Sequence, residues 1–254
     1  MDIEPTRRRA LAGILFGTAG STLGATAAAH AETRAPATAA DQQPGSCRLL
    51  PQAVEGPYYF DPHLVRSDMT EGRPGLSLDL VLRVIDAVTC KPLANARVDV
   101  WHCDARGVYS GYAGQGDKRD VSEKGSTYLR ATQICGADGS VRFRTIYPGW
   151  YPGRTPHIHV MVFIDQTTVA TAQVYFPDDV SARVYAANAP YAARPTPDTT
   201  NANDGIFRDG ERDGGGIILA IATEPSGMVA ALLVAVDRSG KAARKGGWWG
   251  FWRR

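Results

Sequence analysis

Histidine is scarce in this chain, with five residues in 254. His30 falls in a segment expected to be removed, which leaves His63, His102 and the pair His157 and His159. Carboxylates are missing around that pair, since no Asp or Glu occurs between Gly139 and Ile164. The four cysteines contain no Cys-x-x-Cys, which argues against a thiolate metal cluster. A formal net charge of +2 argues against a nucleic-acid partner. The amino-terminal stretch up to Ala29 is rich in Gly and Thr, and falls short of the ~20 strongly apolar residues that a membrane-spanning helix needs.

Successive side chains of a strand alternate faces, so His157 and His159 can offer both imidazoles to one ion. Their surroundings suit a strand: Pro156 fits its first position, and Val160, Met161, Val162 and Phe163 follow. The plain alternative is a half-exposed strand with two polar positions. A metal site here has no further histidine after His159 and no near carboxylate, so oxygen ligands must complete it. Tyrosine is at hand instead, as Tyr147, Tyr151 and, in a Gly-Val-Tyr-Ser turn, Tyr109. A phenol with a pKa of roughly 10 is a poor zinc ligand at neutral pH, whereas a hard trivalent ion can hold the ring deprotonated. Ferric iron, Fe(III), is the natural candidate.

Longer motifs frame these residues: Thr145-Ile-Tyr-Pro-Gly-Trp-Tyr-Pro-Gly-Arg-Thr-Pro-His-Ile-His159, Val98-Asp-Val-Trp-His-Cys-Asp-Ala-Arg-Gly-Val-Tyr-Ser110, Glu55-Gly-Pro-Tyr-Tyr59 and Gln173-Val-Tyr-Phe-Pro177. Together, from about Cys47 to Asp237, they resemble the intradiol ring-cleavage dioxygenases. The resemblance implies that Tyr109 is the tyrosinate ligand retained through turnover and Tyr151 the axial tyrosinate that leaves when substrate chelates. It makes His157 and His159 the imidazole ligands. Arg154 is implied as a fixed cation near the substrate, and Gln173 as a polar residue behind the ligands. Tyr147 is expected to pack rather than ligate. Gly107 favours Tyr109 over Tyr112, and His102 is read as a hydrogen-bonded core or rim histidine.

The implied reaction joins a small aromatic diol and dioxygen, opening the ring between the two hydroxylated carbons to a muconate-type diacid. The competing reading from another class is a non-catalytic exported sandwich module with a degenerate metal site. A copper or zinc hydrolase is a third, disfavoured by two tyrosine ligands. The catechol-cleaving branch of the family carries a large helical amino-terminal part for which there is no room before Glu55, so a homo-oligomer by that route is not expected.

The chain's layout adds a location. Thr6-Arg7-Arg8-Arg9-Ala10-Leu11 is a twin-arginine pattern, and Ala29-His30-Ala31 a small-x-small cleavage site. Export by the twin-arginine machinery and removal of residues 1–31 are expected. Residues 32–46 read as a flexible tether, residues 47–238 as the catalytic domain, and residues 239–254 as a basic, aromatic, disordered tail. Strands are expected at Leu78 to Ile85, Arg97 to His102, Tyr128 to Ile134, Val141 to Ile146, His157 to Phe163, Thr168 to Tyr175, Gly216 to Ala222 and Val229 to Val236. Such runs with tight turns predict an all-β, immunoglobulin-like β-sandwich with long active-site loops. The stretch Asp178 to Gly215 is too long for a simple connection and is a candidate lid or surface wrap. Export raises the prospect of disulfides. Cys90 with Cys103 suits hairpin geometry poorly, and the pairing among Cys47, Cys90, Cys103 and Cys135 stays open.

Overall fold

A computed structural model describes residues 47–194, 196–212 and 217–241. The expected signal segment, the tether and the tail beyond Lys241 lie outside the described residues.

Alternation of apolar and polar residues builds the strands. In β1 (Ser77–Asp86), Leu78, Leu80, Leu82 and Val84 are fully buried while Asp79, Val81 and Arg83 face outward. β4 (Ser140–Ile146) answers it in antiparallel register, Phe143 opposite Leu80 and Val141 opposite Leu82. β8 (Gly227–Val236) pairs with β1 in parallel, and β7 (Ala220–Glu224) pairs with β8 antiparallel. These strands form one sheet in the order β4-β1-β8-β7. The second sheet runs β3-β2-β5-β6, from β2 (Arg97–Trp101), β3 (Arg130–Ile134), β5 (His157–Ile164) and β6 (Thr167–Tyr175). Val98, Val100, Ile158, Val160, Val162, Ala172 and Val174 join the β1 leucines in a single apolar core, so the expected sandwich is present.

The expected strand limits shift where backbone geometry intervenes. Leu129 adopts φ +56°, which ends the extended run and starts β3 at Arg130 rather than Tyr128. Of the expected Gly216 to Ala222 strand, Gly216 lies outside the described residues and the rest divides. Ile217 O accepts the Tyr175 N–H and Leu219 N–H donates to Tyr175 O, so this part lies against β6. The pairing with β8 begins only at Ala220.

The second sheet's outer face is not solvated. On β5 the alternation that sends Ile158 and Val160 into the core sends His157, His159 and Met161 outward, and all three are buried. Loops cover them, and Trp101, Cys103, Tyr109 and Met161 form a second apolar cluster flanked by Tyr58, Tyr59, Tyr151 and Phe163.

The connection after β6 wraps the surface as a helical segment. α1 (Asp178–Ala187), a short 3-10 turn (Tyr191–Ala193) and α2 (Gly205–Arg212) occupy it. Tyr185 and Tyr191 are buried and donate hydroxyl hydrogens to Pro148 O at 2.8 Å and Tyr147 O at 2.6 Å, which pins the segment leading to Tyr151.

The cysteine pairing is Cys47–Cys90, and Cys103 and Cys135 are free and buried. The bridge fastens the start of the domain beside β8, where Leu49 pairs with Ala235. After β8, a Cβ built on Gly240 would lie 3.1 Å from Thr168 O, so the chain passes the beginning of β6 there.

Candidate metal centre

Register across the second sheet builds the floor of the site. Arg130 stands opposite Trp101, Trp101 opposite His159 and His159 opposite Gln173, a row from four adjacent strands on one face. His157 begins β5 opposite Tyr175 in the next row. The two imidazoles lie 4.9 Å apart between ring centroids.

Each imidazole is prepared for a cation. His157 Nδ1 lies 2.7 Å from Thr155 O, which can only accept, so Nδ1 carries the hydrogen and Nε2 keeps its lone pair. Nε2 is 3.2 Å from Tyr151 Oη and 3.4 Å from Tyr109 Oη. The His159 ring stacks on Trp101 at 4.7 Å and 11°, and its buried Nδ1 has no hydrogen-bond partner among the described residues. A Cβ on Gly56, at φ +79°, would come within 3.2 Å of His159 Cε1, so a glycine lets the chain pass over this ring. Burial pushes both imidazoles well below the usual histidine range, so they are neutral donors at pH 7.

The tyrosines arrive from loops. Tyr109 follows the Asp104 turn, in which Asp104 accepts the Arg106 and Val108 amides at 2.9 and 3.0 Å. Gly107 sits at φ +83°, and a Cβ there would fall 2.1 Å from Trp150 O. This close approach joins the Tyr109 loop to the Tyr151 loop. Arg194 completes the join, donating to Arg106 O at 2.7 Å and Trp150 O at 2.8 Å and stacking on the Trp150 ring. Burial drives the Tyr109 phenol well above its ordinary range and Tyr151 up to about 12, with Arg154 opposing the shift. Neither phenol ionises unaided at neutral pH. No group of three or more His, Cys, Asp or Glu suited to a metal occurs among the described residues. A metal held here therefore needs the phenols, and ionising two buried phenols needs a hard, highly charged ion. The donor set fits ferric iron.

Arg154 lies beside these groups, with Nη1 3.3 Å from Tyr151 Oη and Nη2 donating to Gln173 Oε1. The fold thus gathers Tyr109, Tyr151, His157, His159, Arg154 and Gln173. It places the competing residues elsewhere. Tyr147 is buried with its hydroxyl 2.7 Å from Ser181 Oγ, Tyr112 donates to Tyr59 O at 2.7 Å, and His102 bridges Cys103 O and Thr145 Oγ1.

Four contributors were not foreseen from the sequence. Trp101 stacks on His159, and Tyr58 stacks on Tyr109 at 4.6 Å. Arg130 braces the Tyr109 loop by donating to Ser110 Oγ and O at 2.8 and 2.9 Å. Asp204 meets Arg154 Nε at 2.8 Å. Trp101 carried a usable signal, because it alternates with Val98 and Val100 and so faces away from the core.

A family model described as Dioxygenase matches residues 54–197, more than half the chain and a span that contains all six gathered residues. The chain belongs to the intradiol ring-cleavage dioxygenase family. Among family members, the catechol 1,2-dioxygenase of Acinetobacter baylyi is 29% identical over 159 residues, covering 54% of this chain and 49% of that protein. The protocatechuate 3,4-dioxygenase beta chain of Burkholderia cepacia is 33% identical over 130 residues, 47% of this chain and 53% of that one. The chain spans about half the length of the curated relatives it matches. An intradiol ring-cleavage dioxygenase structure from Tetranychus urticae superposes with a TM-score of 0.67 at 31% identity, over 76% of this chain and 96% of that one.

Proposed function

We propose that the protein is an exported non-haem ferric dioxygenase that cleaves catechol-type rings between the two hydroxylated carbons with dioxygen, giving muconate-type diacids. The observation that carries the reading is the convergence of Tyr109 Oη and Tyr151 Oη on the lone-pair nitrogen of His157, beside His159. In this reading Tyr109, Tyr151, His157 and His159 hold the ion. When bound, ferric iron supplies the positive charge that keeps phenols ionised and a Lewis-acid point for the two oxygens of a catechol.

The protein's own groups divide the remaining work. Tyr109 is fully buried under Tyr58 and stays in place, whereas Tyr151 is half-buried at the edge of the cluster. Burial makes the Tyr151 phenol favour its proton, so its Oη, if held ionised by a bound cation, would readily take one proton from an entering diol. Arg154 is a fixed cation 3.3 Å from Tyr151 Oη and stabilises negative charge developing on the bound ring. Tyr58, Tyr109 and Tyr151 offer aromatic faces to a planar substrate and keep water from it.

The Cys47–Cys90 disulfide supports an oxidising destination and hence export through residues 1–31. The test is the visible spectrum of the iron-loaded protein, before and after anaerobic addition of catechol. A tyrosinate-to-iron band that shifts with catechol is expected. A protein that stays colourless with ferric iron supplied would overturn the proposal in favour of a binding module.

A further inference from the structure

Asp204 is fully buried, far along the chain from the ligand motifs. Its Oδ1 accepts the Ile206 and Phe207 amides at 2.8 and 3.1 Å and so caps α2. Its Oδ2 accepts Arg154 Nε–H at 2.8 Å and the Thr155 amide at 3.0 Å. Capping alone does not call for a buried charge, because Ser, Thr or Asn serves equally and without the cost of desolvating a carboxylate. The charge is matched by Arg154, whose side chain is 15% exposed.

Arg154 is thereby held on three sides. Nε is fixed by Asp204, Nη2 by Gln173, and Nη1 is left to reach Tyr151 Oη at 3.3 Å. Gln173 is itself anchored, donating to Val54 O at 3.0 Å and accepting from Tyr175 Oη at 3.2 Å. The same stretch of chain also steadies Thr155, whose hydroxyl donates to Asn201 Oδ1 at 2.9 Å and whose carbonyl sets the His157 tautomer.

We propose that Asp204 is the positioning residue of this site: it aims the Arg154 guanidinium at Tyr151, and makes α2 and the turn before it part of the machinery. The inference rests on the dioxygenase reading, with Arg154 acting on charge at the substrate.

The test compares wild type with Asp204→Asn, which still caps α2 but sets an amide N–H against the Arg154 and Thr155 donors if it does so. Three readouts apply. In the metal-free protein, the 15N-edited Arg154 Nε–H resonance is expected to be slowly exchanging in wild type and lost in the variant. In the iron-loaded protein, the tyrosinate band is expected to shift while iron content stays stoichiometric. With catechol, kcat is expected to fall on the order of 10- to 100-fold, more than KM changes. In an Arg154→Ala background the substitution is expected to have little further effect on kcat. Asp204→Ser, another capping residue, replaces Asp204→Asn if the latter does not fold. An unchanged band and turnover within about twofold of wild type would overturn the proposal, as would an undiminished loss in the Arg154→Ala background. A wild-type protein with no band refutes the dioxygenase reading instead, and the Nε–H resonance still reports whether Asp204 holds Arg154.

Discussion

Replacing both bridged cysteines, Cys47→Ser with Cys90→Ser, should cost the domain about 4 kcal/mol of stability. The bridge joins residues separated by 43 positions. The chain-entropy expression for a loop of that size gives roughly 13 cal/mol/K, or about 4 kcal/mol at 25 °C. The folded side of the balance changes little, because other bonds hold the same segment: Leu50 N–H to Ala235 O and Ala53 N–H to Thr171 O, both 2.8 Å, and Thr171 N–H to Gln52 Oε1 at 2.9 Å. The loss therefore lies in the freer unfolded chain. Urea unfolding should show a midpoint lowered by about 1.3–2 M for a slope of roughly 2–3 kcal/mol/M, with the slope itself raised. Cys103 and Cys135 are buried and cannot easily re-pair to mask the effect. The visible spectrum of the iron-loaded variant should match wild type. A midpoint unchanged by the double substitution, and equally unchanged by reductant in wild type, would refute the reasoning.

Acid should weaken the metal-free fold through its buried imidazoles. Burial pushes His102 down to about 4, so between that value and the unfolded ~6.5 only the unfolded chain binds the proton; stability is full above about pH 6.5 and falls by roughly 2–4 kcal/mol on acidification to pH 4. Chemical denaturation of His102→Gln across this window should show a shallower slope. Gly107→Ala should cost about 2 kcal/mol or more, because its Cβ collides with Trp150 O at φ +83°, and thermal unfolding together with a weakened tyrosinate band would register it. Tyr151→Phe should leave iron bound through Tyr109 and keep part of the band while lowering turnover by roughly 10²-fold or more. Steady-state rates and iron analysis check this.

The sheets were readable because each strand's burial follows from a period of two, as in Leu78, Leu80, Leu82 and Val84 of β1. Where a local dihedral broke that period, as at Leu129, the boundary moved. The strand expected from Gly216 is not one unit over its described part, because Ile217 and Leu219 bond to Tyr175 and the residues from Ala220 to β8, a switch between sheets that no local pattern encodes. The six candidate residues were legible through motifs close in sequence. Tyr58, Arg130 and Asp204 reach the site only through tertiary packing, and Asp204 follows a run of small polar residues, Thr199-Thr-Asn-Ala-Asn203, that reads as loop. The disulfide stayed open for the same reason, since Cys47 and Cys90 meet only once the first sheet has formed.

The places where the chain enters and leaves the sandwich bear on what it tolerates. Cys47 is tied to Cys90 just past the end of β1, Ala87 N–H bonds to Val236 O at the end of β8, and Gly240 lies against Thr168, seven residues along β6 from Tyr175. Both ends of the described domain thus meet at one pole, and His157, opposite Tyr175, lies toward the other. Attachments made beside Cys47 or Gly240, whether an affinity handle, a surface linkage or another folded module, stand clear of the candidate site by about the length of a strand, roughly 20 Å. Fixing the protein beside either of these two positions should leave the candidate site unobstructed.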